Sequence, residues 1–293
     1  MTTAAELISE ARSLFYSGQR DNLTTLTAAE NTTDTSIVLV DETNTVQRGS
    51  VLSVDLEEML VTGYTAASKT ATVIRGWNGS TAADHLIGAV VWVNPRVSDF
   101  RILRAINNEL RSLSAQGLYR VATKELTYSS VLLGYDLAGV TSIDEIMRVR
   151  LETTGPEDDW VDLARNTWRL QRNQAVGDFS STFALKLLSG GDQGRAVTVV
   201  YKQPFGTLAA LADTAETTAG FPTTAVDILS LGAAIRVAEG REIARNFSDA
   251  QGDTRRADEV PPGAANQAPA GLRQRYRQRV GEEAARLVRQ YGV

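Results

Sequence analysis

His85 is the chain's only histidine, so any Ser-His-Asp site would have to be built on it. Asp84 is its neighbour in sequence, but adjacency along the chain does not place a carboxylate to orient an imidazole. The simpler expectation is a polar turn residue. There is no cysteine, no HExxH and no His pair, so a zinc site lacks its ligands, and disulfide and thiol chemistry are excluded. A Walker-type phosphate loop is absent. SGGDQGR (Ser189–Arg195) is glycine-rich but lies between two candidate strands, where a hairpin turn is expected rather than a phosphate cradle. Paired carboxylates occur at Glu57-Glu58 and in the triplet Glu157-Asp158-Asp159. Neighbours on a strand point to opposite faces, so Glu57 and Glu58 are not expected to share a proton or a metal. The triplet follows Pro156 in an expected turn, where solvated charge is the default and a calcium site the alternative. No catalytic constellation emerges: the sequence predicts no enzyme, no cofactor and no metal site.

Composition agrees with a soluble chain. The 293 residues are 43% hydrophobic and 22% charged, and no apolar run is long enough to span a bilayer. MTTAAELISEARSLF has neither a basic start nor an apolar stretch, so no signal peptide is expected, and the lack of cysteine fits folding in a reducing cytoplasm. The net charge of −5 is unevenly spread. Residues 271–293 carry six Arg against two Glu, a local +4, which leaves −9 on the rest. A basic tail on an acidic body either folds back on that body or seeks a partner elsewhere.

The elements alternate in kind. Thr3 and Glu6 have capping-box spacing ahead of a helical stripe through Leu7, Ile8, Ala11 and Leu14, which predicts a helix within 1–20. Five short β-branched runs separated by turn residues, with Asn78-Gly79 at one turn, predict a small antiparallel barrel or sandwich over 21–95. Ser98 caps a second amphipathic helix within 96–117, striped by Leu103, Ile106, Leu110 and Leu113. Six further strand candidates predict a β-sandwich over 118–210. Thr224 and Asp227 have the spacing of another capping box in a helix over 222–247, where Gly232 and Gly240 would let a neighbouring helix approach closely. Small and polar residues over 248–271 predict a linker. Residues 272–293 follow as a helix with Tyr276, Val280, Leu287 and Tyr291 on one face and Arg around it. That helix either packs on its own body or docks on a partner, and the tether before it favours docking. The fold class expected is α+β: a helical-bundle core with a small inserted β-barrel-like domain and an inserted β-sandwich, plus a tethered C-terminal helix.

Gly49–Val93 carries a resemblance. Glu58 and Met59 on one strand precede Val73, Arg75 and Gly76 at the end of a second. Gly79, Ser80, Thr81, Ala82 and Ala83 then form a turn, followed by His85, Gly88, Ala89 and Val91. This pattern resembles a small β module that recurs in structural proteins of tailed bacteriophages. The order of elements along the whole chain looks like that of head-to-tail connector (adaptor) proteins. The resemblance implies a structural role in the neck of the virion: a ring of this chain, of twelve copies, below the portal protein and above the next neck or tail protein. DNA would pass through its lumen without specific binding, helped by an acidic body that does not grip phosphates. No membrane is involved. On this view the C-terminal helix anchors to the portal, through Arg273, Arg275, Tyr276, Arg277, Arg279, Val280, Arg286, Leu287, Arg289 and Tyr291. A minor tail protein or a head-decoration protein is the alternative. A DNA-binding protein using the Arg tail and a glycan-active enzyme using paired carboxylates are the other classes weighed.

Overall fold

The computed structural model of the chain describes residues 1–15, 21–40, 45–153, 160–188, 190–249 and 264–291. The chain divides into two compact units, Met1–Leu110 with Gly206–Glu282, and Arg111–Phe205 with Glu283–Val293.

Within the first unit, six strands form one sheet: β1 (Asn22–Thr25), β2 (Ser36–Val38), β3 (Val51–Val54), β4 (Glu57–Thr65), β5 (Thr70–Ile74) and β6 (Val90–Val93), in the order β1-β6-β3-β4-β5-β2. The two outer strands meet just beyond their ends. Leu26 bridges Leu39, Thr27 N–H donates to the Val38 carbonyl and Val40 N–H donates to the Thr25 carbonyl, both at 3.0 Å. The sheet therefore closes on itself as a small barrel and leaves no long unpaired edge. Alternation in the sequence dictates its filling. Leu52 and Val54, Met59 and Val61, Ala71 and Val73, and Val91 and Val93 all point inward and are at most 3% exposed. A bulge between Val61 and Gly63 bends β4 where the sheet must curl. The β3–β4 hairpin turns on two residues, with Asp55 taking the positive φ of 50° that such a tight turn needs.

Four helices accompany the sheets. In α1 (Ala4–Phe15) the capping box forms: Thr3 N–H donates to the Glu6 carboxylate at 2.9 Å and Glu6 N–H to the Thr3 hydroxyl at 3.2 Å. Its buried Ala4, Leu7, Ile8 and Ala11 form one face, and the helix packs on α3 (Asp227–Asp249). α2 (Asp99–Ser112) is capped by the Ser98 hydroxyl, which accepts the Arg101 N–H at 3.3 Å. A Cβ added at Gly232 of α3 would lie 2.6 Å from Glu109 of α2, so the glycine makes room for that carboxylate. α4 (Ala264–Tyr291) is the last helix.

The second unit holds two antiparallel sheets. β10 (Trp160–Asp162), β9 (Glu145–Glu152), β13 (Ala196–Gln203) and β7 (Arg120–Thr127) form one, in that order. β11 (Trp168–Gln171), β12 (Ala184–Leu187) and β8 (Tyr135–Asp136) form the other. Val149, Leu151, Val197, Val199 and Tyr201 from the first share one apolar cluster with Tyr135, Trp168 and Leu185 from the second. SGGDQGR falls in the β12–β13 connection, a turn with Gly194 at φ 82°.

These observations overturn the expected α+β fold with a helical-bundle core. Among the described residues, thirteen strands in three sheets stand against four α-helices, and sheets fill the apolar clusters of both units. A 3.6-residue stripe says that a helix buries one face. Here α1 and α3 do cover one another, but a stripe does not say that the helices form a frame into which the sheets are inserted, and each unit has an apolar cluster built by its own sheets. Two boundaries also differ. α3 starts at Asp227, after a short 3-10 turn over Thr223–Ala225, and Asp227 is engaged by Arg279. Of the expected linker 248–271, Ser248 and Asp249 belong to α3 and 264–271 to α4. The remainder, with the Glu157-Asp158-Asp159 triplet, lies outside the described residues.

Candidate functional site

Glu57 opens β4 one residue after the hairpin, and its side chain is fully buried. An isolated carboxylate there would be prohibitively costly, so it needs counter-charge and donors. Arg75, at the end of β5, supplies both. Its Nε donates to Glu57 Oε1 and its Nη2 to Oε2, each at 2.8 Å, a bidentate pair. The backbone N–H groups of Gly76 and Ala83 donate to the same two oxygens at 3.0 Å. The rest of the guanidinium donates to the carbonyls of Asn31, Asp34 and Ala83, tying the β1–β2 connection to the β5–β6 connection. Gly76 has φ 63°, and a Cβ there would sit 3.0 Å from the Ser80 carbonyl, so this turn requires glycine.

His85 completes the cluster. It is 3% exposed, its backbone pairs with Glu30 in both directions, and both ring nitrogens face carboxylates: Nε2 lies 2.9 Å from Glu57 and Nδ1 3.1 Å from Asp55. A polar turn residue was expected, whereas a buried one is found. Burial alone would disfavour the charged imidazole. The hydrogen bonds to Asp55 and Glu57, with their charges, outweigh it and push the pKa up to about 9. Burial likewise works against ionised Glu57, but donation from Arg75, His85, Ala83 and Gly76 holds it down at about 2. Nearby Glu30 is raised, chiefly by burial.

Glu58 points the other way. It is 2% exposed, accepts from Asn78 Nδ2 and from the Ser98 hydroxyl at the start of α2, and lies 3.3 Å from Arg101 Nε. The adjacent carboxylates thus serve two separate networks, as strand alternation predicts. Chemically, the Glu57 cluster is a closed electrostatic lock. An imidazole with both nitrogens held by carboxylates has no lone pair for a nucleophile's proton. Among the described residues there is no group of three or more side chains fit to hold a metal.

The predicted anchor residues of α4 separate into two sets. The Tyr276 hydroxyl donates to Glu109, Arg279 makes a bidentate pair with Asp227 at 2.8 and 2.9 Å, Arg273 pairs with Glu239, and Val280 is buried. Arg279 donation holds Asp227 below the usual carboxylate range. Further along, Leu287 is buried, Arg286 pairs with Glu283 within the helix and Tyr291 is half-buried. Arg275, Arg277 and Arg289 are exposed. Arg273, Tyr276, Arg279 and Val280 therefore engage this chain, whereas Arg275, Arg277 and Arg289 face solvent.

Sequence reasoning missed Asp55 and Glu57 as partners of His85, and Ser98 as a partner of Glu58. A fully buried carboxylate beside a β-branched run gives no signal until its partners, 18 and 28 residues away, are brought to it. No protein-family model matches the chain, and no curated protein matches it. Among the described residues, no helix is long and apolar enough to cross a membrane.

Proposed function

We propose that this chain is a structural protein of a tailed-phage virion, acting as a head-to-tail connector (adaptor) that assembles into a ring below the portal. The observation carrying this is the convergence at the barrel. Arg75, Gly76, Ala83 and His85, four of the residues through which Gly49–Val93 resembles the phage module, meet Glu57 in one buried cluster. Those residues thus do a structural job, and the only histidine is consumed by it. A protein whose most ionic buried site is a lock has the character of an assembly component, which must hold its shape under load.

The docked state of α4 refines the expected anchor. Its Arg273, Tyr276 and Arg279 already pair with Glu239, Glu109 and Asp227 of the same chain, so contact with an acidic portal surface falls to the outward Arg275, Arg277 and Arg289. Full-length protein, wild type and R277E/R289E, is titrated onto purified portal rings of the same phage. Binding by wild type that drops by about tenfold or more on charge reversal supports the adaptor role. Wild type that does not bind overturns it in favour of a minor tail or decoration protein, which copy number per particle would then separate.

A further inference from the structure

Val131, Leu132 and Leu133 are consecutive, and 84%, 54% and 81% exposed. They form the tip of the β7–β8 connection, and the base of that tip is pinned. Ser129 N–H donates to the Tyr135 hydroxyl at 3.0 Å, and that hydroxyl donates back to the Ser129 carbonyl at 2.8 Å. Ser130 donates through both N–H and Oγ to Gln193 Oε1, and Leu132 N–H donates to the Ser129 carbonyl at 3.3 Å. Gly134 closes the base, since a Cβ there would be 3.3 Å from the Phe179 ring. A pinned apolar knob loses little conformational freedom on docking.

The first unit carries a matching depression. A groove of about 550 Å³ runs between the β3–β4 hairpin, α2 and the segment after Gly206. Leu56, Phe100, Leu103, Leu208 and Leu211 line it, with Asp55 and Arg104 also on its wall. Three branched aliphatic side chains fit a space of that size and polarity.

We propose that the Val131–Leu133 knob of one copy seats in this groove of the next copy. The chemistry on the page favours a second copy. The flanks of the knob, Ser129, Ser130 and Gly134, carry no charge, so nothing there recruits nucleic acid or an anionic lipid surface. An uncharged knob suits the apolar stretch of wall formed by Leu56, Phe100, Leu103, Leu208 and Leu211. Knob and groove lie at different places on one chain, so the contact is head-to-tail and repeats, closing into a ring where the rotation permits. This rests on the ring proposed above and gives it a contact.

The absence of cysteine makes the test clean. Full-length L132C and A209C, the second at the groove, are mixed in equal amounts and mildly oxidised. A covalent dimer that needs both variants is the expected result. No dimer in the mixture, or an equal yield from L132C alone, overturns the contact. In parallel, L132D should weaken self-association in sedimentation by about tenfold or more, with an unchanged melting temperature because the side chain is exposed. Unchanged association overturns the proposal. Wild-type self-association and portal binding are read from the same preparations. If both persist while cross-linking fails, only the contact falls; if both are absent, the connector role falls with it.

Discussion

Arg75 joins Glu57, the Asn31, Asp34 and Ala83 carbonyls and, through Glu57, His85, so one side chain holds two connections of the barrel. Replacing it with methionine leaves Glu57 buried without its counter-ion, and chemical denaturation should show a loss of about 3–5 kcal/mol. The pH dependence follows from two opposite shifts. His85, raised from 6.5 to about 9, contributes stability fully below pH 6.5 and loses it as pH rises through about 9. Glu57, lowered from 4.5 to about 2, contributes above pH 4.5 and loses it as pH falls through about 2. Both contributions are complete only between about pH 4.5 and 6.5. Urea midpoints measured across pH should fall on the alkaline side for wild type, and that alkaline slope should flatten in H85Q. Of this site, Arg75, Gly76 and His85 were legible as a pattern. Their convergence on Glu57 was not, because a carboxylate in a strand gives no sign of whether it faces water or a guanidinium.

At the scale of elements, the helices are fitted to specific partners. A glycine in a helix interior normally gains about 1 kcal/mol on mutation to alanine. At Gly232 the new Cβ would lie 2.6 Å from Glu109, so the sign should reverse. Calorimetry of G232A should show a loss of about 1–3 kcal/mol from overpacking. Glu109 also accepts from Arg236 and from Tyr276 of α4. Tyr276→Phe should cost about 1.5–3 kcal/mol, the usual worth of a hydrogen bond to a charged group. For the same reason a chain ending at Gly271 should melt earlier than the full chain, whereas a free docking helix would have left the melting temperature unchanged. The helical stripes of α1 and α2 were readable from spacing alone. The pairing of α4 with Glu109 and Asp227 was not, since arginines and a tyrosine on a helix face are equally consistent with a solvated surface and with a docked one.

For the molecule as a whole, two units each hold a sheet-built apolar cluster, and each presents an apolar feature at its surface: the groove in one and the Val131–Leu133 knob in the other. Such features make sense in an assembly, because large exposed apolar groups burden a monomer and serve an interface. Self-association of the full chain should therefore rise with salt that strengthens apolar burial, such as sulfate. Portal binding through the arginine face of α4 should weaken as ionic strength rises. Sedimentation and a binding titration across the two salt series check both.

Local elements follow from the order of residues alone. Period-two alternation set the inward faces of β3 to β6 and of β13, 3.6-residue stripes marked α1 and α2, and the Thr3–Glu6 spacing fixed where α1 starts. Those are short-range effects, decided by residues a few positions apart. What each buried face meets was settled by long-range packing: that the first sheet closes through Leu26 and Leu39, that Glu57 finds Arg75 and His85, and that three sheets, not a helical bundle, organise the two units. Apolar burial is non-directional, so a stripe specifies that it must be covered and leaves its cover to the packing of the whole chain.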